Sequence, residues 1–197
     1  MQALTEEQLL RFLQACWEIG ETTWLMAVLA VNHGLRVGEL TGRWAVKKVK
    51  GQKVRYFHQG ILGSEVRDHS LIVRRLKGSN RTIQALVSHD NPLLNEREAV
   101  ERLALITPKN QSLFQMDRTT AWRHLQKAGR RAGVRLSSAS IRGMKHTMGT
   151  LAAEKVPVKV LQLQFGHKDP KSAMAYYDVT PQQASTRIAE VLGGQVL

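Results

Sequence analysis

Cysteine is nearly missing from this chain: Cys16 is the only one in 197 residues. A single thiol excludes an intramolecular disulfide and any zinc cluster built on cysteines, and it points to an intracellular setting. Long apolar runs are missing too. Nothing approaches the ~20 consecutive apolar residues of a membrane span, and the first ten residues are acidic, unlike a basic export signal followed by an apolar core. Membrane and secretion readings therefore fall away. The seven histidines include no two that lie three, four or five residues apart, so no helix face or tight loop offers a ready zinc site. Glycine loops of the Walker or dinucleotide kind and a nucleophile-elbow serine are likewise not found, which removes support for nucleotide hydrolysis and acyl transfer. No cofactor is expected.

Acidic residues are scarce, 16 against 29 lysines and arginines, and the formal net charge is +13. A field of that size on a body of ordinary hydrophobic content (43%) suits a polyphosphate partner, with nucleic acid the first expectation. The charge is uneven. Residues 1–46 carry three basic and five acidic side chains, residues 47–89 ten and two, and residues 90–197 sixteen and nine. In the middle segment Lys47, Lys48, Lys50, Lys53 and Arg55 alternate with Val46, Val49, Val54 and Tyr56 at close to period two, which reads as a basic β-ribbon. Such a ribbon either lies along phosphates or is a solvated hairpin whose lysines prevent edge pairing.

The periodicity predicts a helix-rich single domain interrupted once by strands, a mainly α fold with a small antiparallel β-sheet. Thr5 with Gln8 three residues on is a capping box, followed by an apolar face of Leu9, Phe12, Leu13, Cys16 and Trp17. A second helix, capped by Thr22 or Thr23 and ending at His33-Gly34, is nearly all apolar and should be central. Two or three antiparallel strands are predicted over residues 43–88, including a hairpin with Lys77 at its tip. Helical periods then return at 95–106, 118–132, 140–156, 157–165, 171–177 and 181–192. Trp24, Trp44 and Trp122 are expected in the core.

One set of residues gains meaning from its order. Gly34-Leu35-Arg36-Val37-Gly38-Glu39-Leu40 is followed by the Lys77 turn, by Arg142-Gly143-Met144-Lys145-His146, by Gly166-His167, and by Tyr176-Tyr177. This order resembles the catalytic domain of the tyrosine recombinase, or phage integrase, family. That family carries an arginine in a Gly-Leu-Arg turn, a lysine on a β-hairpin, a His-x-x-Arg on a buried helix, a Gly-His, and a tyrosine nine residues later, which here is Tyr176. The resemblance covers nearly the whole chain.

The resemblance implies a site-specific recombinase that cleaves and rejoins DNA through a 3′-phosphotyrosyl intermediate, without metal or ATP. Tyr176 would be the nucleophile, Arg36 a bidentate phosphate ligand, Lys77 the acid that protonates the leaving 5′-oxygen, and His167 a phosphate donor or a support for the tyrosine. Two positions depart from the family pattern. Arg142 stands where histidine is usual and cannot titrate; Lys145 stands where the second arginine is usual, keeping charge but losing the bidentate fork, at a cost on the order of 10²-fold. An attenuated or inactive DNA-binding relative and a type IB topoisomerase-like activity are the alternative readings. Glu39 is expected to buttress the arginine turn, and Tyr177 to pack.

Double-stranded DNA is the implied partner, with Lys47, Lys48, Lys50, Arg81, Arg123 and His146 as candidate contacts. Arg118 and the other cations of residues 118–131 read equally as DNA contacts or as a solvated face. The helix at 181–192 resembles the segment with which family members form homo-oligomers on DNA. The family's separate N-terminal DNA-binding domain has no expected counterpart in this sequence, and a nucleoid-associated, cytoplasmic location follows from the implied role.

Overall fold

The computed structural model describes residues 2–76 and 78–177. Lys77 and the helix expected at 181–192 lie outside the described residues.

Helix α1 (Glu6–Ile19) opens with the expected reciprocal cap: Thr5 Oγ1 accepts from the Gln8 amide, and the Gln8 side chain accepts from the Thr5 amide. Two otherwise unsatisfied helix-end donors are thereby paired. Its buried face, Leu9, Phe12, Leu13 and Cys16, lies against α2 (Glu21–His33). Fully burying a side chain of the Phe12 or Leu13 kind contributes about 1.5–3 kcal/mol. Trp17 stays half exposed at the edge, its ring meeting Trp24 edge-on at 4.8 Å.

Helix α2 is apolar on nearly every side, and correspondingly it is enclosed by α1, α5 (Arg118–Arg131) and α6 (Ile141–Ala153). It starts without the expected threonine cap: Gly20 is the N-cap, and Thr23 lies inside the helix, where its hydroxyl meets His124 Nδ1 at 3.0 Å. That buried pairing between α2 and α5 outweighed the local capping preference. The helix ends at Gly34 in the left-handed conformation (φ +60°), and a Cβ there would collide with the Phe165 ring. The one-turn helix α3 (Val37–Leu40) follows immediately.

The strands form two separate sheets where one was expected. β1 (Arg43–Val49) and β2 (Gln52–His58) make an antiparallel ribbon with Trp44 opposite Phe57 and Lys48 opposite Lys53. No further strand among the described residues pairs with it, so Trp44 and Phe57 remain about half exposed and stack on each other edge-on, with the Arg55 guanidinium 4.6 Å from the Trp44 ring centroid. Trp44 is therefore not a core residue. Trp122, on the outer face of α5, is also 55% exposed. Only Trp24 of the three is buried.

The second sheet orders β3 (Val66–Arg67), β4 (Ser70–Val73) and β5 (Thr82–Ala85), all antiparallel. Leu71 and Val73 point into the core, and the β4–β5 connection spans residues 74–81. Helices α4 (Arg97–Ile106), α5, α6, α7 (Val158–Phe165) and the short α8 (Lys171–Met174) complete the chain order. α5 is capped by Asp117 and α6 by Ser140. α7 ends at Gly166 (φ +65°), whose carbonyl accepts from the Asn80 amide at 2.7 Å, tying the β4–β5 connection to the segment that leads to His167.

Candidate active site

The site grows from Glu39. Its carboxylate is fully buried in the first turn of α3 and accepts the amide of Arg36 (2.9 Å), Nη1 of Arg36 (2.7 Å), the amide of Leu76 (2.9 Å) and Nη1 of Arg75 (3.1 Å). Burial alone would raise its pKa, but Arg75, Arg36 and the two amides outweigh that and hold it below the ordinary carboxylate range. The buttressing role expected of Glu39 thus extends to the β4–β5 connection.

Arg75 is the feature that sequence reading missed. Its side chain is fully buried, and every donor is engaged: Nε with Thr82 Oγ1, Nη1 with Gly34 O and Glu39, Nη2 with His33 O and Gln164 O. It joins the ends of α2 and α7 to β5 and to Glu39. Its neighbour Arg74 bonds Gly60 O and pairs with Glu65, with its side chain 37% exposed. Nothing in the Arg74-Arg75 pair signalled which would turn inward, apart from its position in the alternation that buries Leu71 and Val73.

Above this node lies a cavity of about 600 Å³. Arg36 enters from the start of α3, Arg142, Lys145 and His146 from α6, and Tyr176 from the residues after α8. Arg43 and Arg118 line it as well. No carboxylate is among its lining residues, which makes it a site for an anion. Arg36 commits Nη1 to Glu39 and to Leu76 O, leaving Nε and Nη2 without partners among the described residues; Arg142 has no partner among them at all.

Tyr176 lies over α6. A Cβ at Gly149 would come within 2.4 Å of its ring, so the glycine supplies the space the ring occupies. Its ring centroid is 5.4 Å from that of Phe165 and 5.8 Å from that of His146. Burial raises the phenol above its ordinary pKa, with the Arg36 and Arg142 guanidiniums pulling the other way. Tyr177 points elsewhere and donates its hydroxyl to Val156 O at 2.5 Å.

Lys145 behaves differently from a simple replacement cation. Its Nζ turns inward, donating to Gly34 O at 2.5 Å and lying 3.8 Å from the Phe165 ring centroid. Burial, reinforced by Arg75 and Arg36, pushes its pKa down to about 6. The cation expected at this position is thus an amine whose pKa is held well below that of an ordinary lysine. His167 stands beside the cavity, half buried, its ring 5.3 Å from Phe165 and its Nδ1 without a hydrogen-bond partner among the described residues. Burial, followed by Lys145, Arg36 and Arg75, lowers its pKa to about 4, so it is neutral at physiological pH.

The other candidate contacts are dispersed. Lys48 and Lys50 are exposed on the β1–β2 ribbon, Arg81 is exposed just before β5, and Arg123 is exposed on α5. Lys47 lies in β1 opposite Val54. Of the DNA-contact candidates, His146 and Arg118 line the cavity. Among the described residues no cluster of three or more histidine, cysteine or carboxylate side chains could hold a metal ion, and no helix is long and apolar enough to cross a membrane.

Solved structures share this helical fold with its small antiparallel sheets. XerA recombinase superimposes with a TM-score of 0.67 at 17% identity, covering 96% of this chain and 65% of that one. The catalytic domain of bacteriophage HP1 integrase gives 0.61 at 17% identity, covering 95% and 94%. A lambda integrase tetramer bound to a Holliday junction gives 0.64 at 18% identity, covering 90% and 48%. At these identities the likeness establishes the fold. The chain spans just under two thirds of XerA and about half of lambda integrase. No curated protein matches. The sequence profile of the phage integrase family matches residues 2–183, and the chain belongs to that family.

Proposed function

We propose that this chain is the catalytic domain of a site-specific recombinase that breaks and rejoins DNA through a 3′-phosphotyrosyl intermediate. The observation that carries the reading is the convergence of Tyr176, Arg36 and Arg142 on one cavity whose lining contains no carboxylate. Cleaving a phosphodiester without metal needs a nucleophile, fixed donors for the charge that develops on the phosphorane oxygens, and an acid for the leaving oxygen.

Tyr176 Oη attacks the scissile phosphorus as the bond to the 5′-oxygen breaks. The free donors of Arg36 and the unpaired fork of Arg142 meet the non-bridging oxygens. Lys77, by the family resemblance, protonates the departing 5′-oxygen. Arg142 cannot accept the phenol proton; the imidazole of His146, which lines the cavity with its ring centroid 5.8 Å from that of Tyr176, takes it. His167, neutral, can donate to the phosphate from the cavity's flank. The stored phosphotyrosine bond allows rejoining without ATP. Duplex DNA is the substrate, with the ribbon lysines, Arg81 and Arg123 positioned for phosphates outside the cavity, and assembly of several copies on DNA, through the segment at 181–192, follows the family.

A second reading, an attenuated member, is favoured by one observation: Lys145 is turned inward onto Gly34 O and is mostly neutral, so one phosphate donor of the family pattern is withdrawn. Both readings meet the same test. DNA sites are first selected by affinity from a random duplex library, then presented with a nick that traps the cleaved strand. The wild type is expected to form a protein–DNA adduct that survives denaturation, Tyr177→Phe to retain it and Tyr176→Phe to lose it. Binding without any wild-type adduct would sink the recombinase reading, and a slow adduct accelerated by Lys145→Arg would establish the attenuated one.

A further inference from the structure

The anion cavity has more cationic groups than one phosphate uses. Tyr176 has Arg36 and Arg142 acting on it, and Arg43 and Arg118 line the same cavity. A volume of about 600 Å³ falls in the range that encloses a whole small-molecule ligand, ~300–1,000 Å³, well above what a single phosphate group fills.

Both arginines are placed for an anion in ways that local structure does not require. The stem of Arg43 lies across the α3 turn: a Cβ at Gly38 would meet its Cδ at 2.5 Å and its Cγ at 2.9 Å, so the glycine opens the space that the Arg43 stem occupies. The only hydrogen bond of its guanidinium among the described residues is from Nε to Trp44 O. Arg118 is the first residue of α5, where a cation opposes the helix dipole. The adjacent Asp117 does not neutralise it by pairing, because its oxygens are occupied by the amides of Thr119 and Thr120 and by the Thr120 hydroxyl.

We infer that Arg43 and Arg118 form a second phosphate subsite, which holds a backbone phosphate flanking the attacked one on the cleaved strand. It rests on the reading of the cavity as a DNA site. Two adjacent phosphates gripped at once fix the direction of the strand through the cavity, which one phosphate cannot do. The subsite also supplies the permanent guanidinium charge that the inward-turned Lys145 does not.

The test compares the wild type with the double variant Arg43→Gln/Arg118→Gln on selected duplexes in which single phosphates flanking the cleavage position are replaced by neutral methylphosphonates. Both arginines are exposed, so folding should be little affected. The variant is expected to bind about tenfold or more weakly, with the slope of log affinity against log salt reduced by about two. At one flanking position the methylphosphonate should weaken wild-type binding but leave the variant unchanged. An unchanged salt slope, or an equal penalty in both proteins at every position, would overturn the inference. Because the readout is binding, it is decided even if no wild-type adduct forms.

Discussion

Two sets of arginines, one beneath this cavity's arginine turn and one lining the cavity, do opposite things. The Arg75 side chain has no exposed surface and spends every donor on protein acceptors; Arg142, Arg43 and Arg118 are exposed, and Arg142 and Arg118 have no partner among the described residues. A guanidinium with a closed list of acceptors holds the scaffold, and one with an open list is available to a ligand. Arg36 belongs to both sets, with Nη1 given to Glu39 and the rest of its fork left over. The buried node thus aims the one arginine that reaches from scaffold into cavity.

The comparison is broken most severely at Arg75. Replacing it with Met leaves Glu39 buried with one charge partner fewer and frees the carbonyls of His33, Gly34 and Gln164. A loss of about 3–5 kcal/mol is expected in denaturant unfolding. Arg142→Gln removes a cation of the same type and should leave stability within about 0.5 kcal/mol. Its effect should fall on adduct formation, about 10²–10³-fold. Similar stability losses in the two variants would show that the division between closed and open arginines is wrong.

How much of this division could be read from residues alone depended on range. Thr5 with Gln8, the nearly all-apolar α2 and the Arg36-to-Glu39 turn are local patterns, and each formed as the spacing predicted except for the threonine cap of α2. The gap between His167 and Tyr176 similarly singles out the tyrosine that lines the cavity, while Tyr177 bonds Val156 O. Arg75 was illegible because its acceptors come from residues 33, 34, 39, 82 and 164, which only the tertiary fold brings together. The inward turn of Lys145 depends on Gly34 and Phe165, again distant in sequence. Trp44 and Trp122 were misplaced for a related reason: composition favours burying an indole, but a lone two-stranded ribbon and the outer face of α5 have no layer above them. Arg43 and Arg118 carried no motif at all.

A finer test acts on the cavity without touching a charge. Gly149→Ala adds one methyl group to α6, where alanine favours the helix by up to ~1 kcal/mol, so stability should hold or rise. The added Cβ would overlap the Tyr176 ring, so the tyrosine has to move. A displacement near 1 Å can cost about 10²-fold in rate. Adduct formation is expected to fall by about that factor with DNA affinity retained. An undiminished rate would show that Tyr176 reacts from a position other than the one it holds over α6.

The smallest expected effect concerns Lys145, the cation that lies between the two sets. Its folded pKa of about 6 is below the unfolded value near 10.4, so between those limits the unfolded chain binds the extra proton. Stability should therefore rise with pH from about 6 upward, at less than about 1.4 kcal/mol per pH unit. Below pH 6 both states are protonated and the full cost of the buried ammonium is present. Lys145→Met removes the titrating group while keeping an unbranched stem on Phe165, and it should flatten the rise when unfolding is followed between pH 6 and 8. DNA shifts the same equilibrium in the other direction: a phosphate in the cavity favours the charged amine, so binding near pH 7 should take up protons in the wild type and fewer in Lys145→Met. Equal proton uptake, read as the buffer dependence of the binding heat, would mean that Lys145 keeps its neutral, inward-turned state when DNA is bound and belongs with Arg75 in the scaffold.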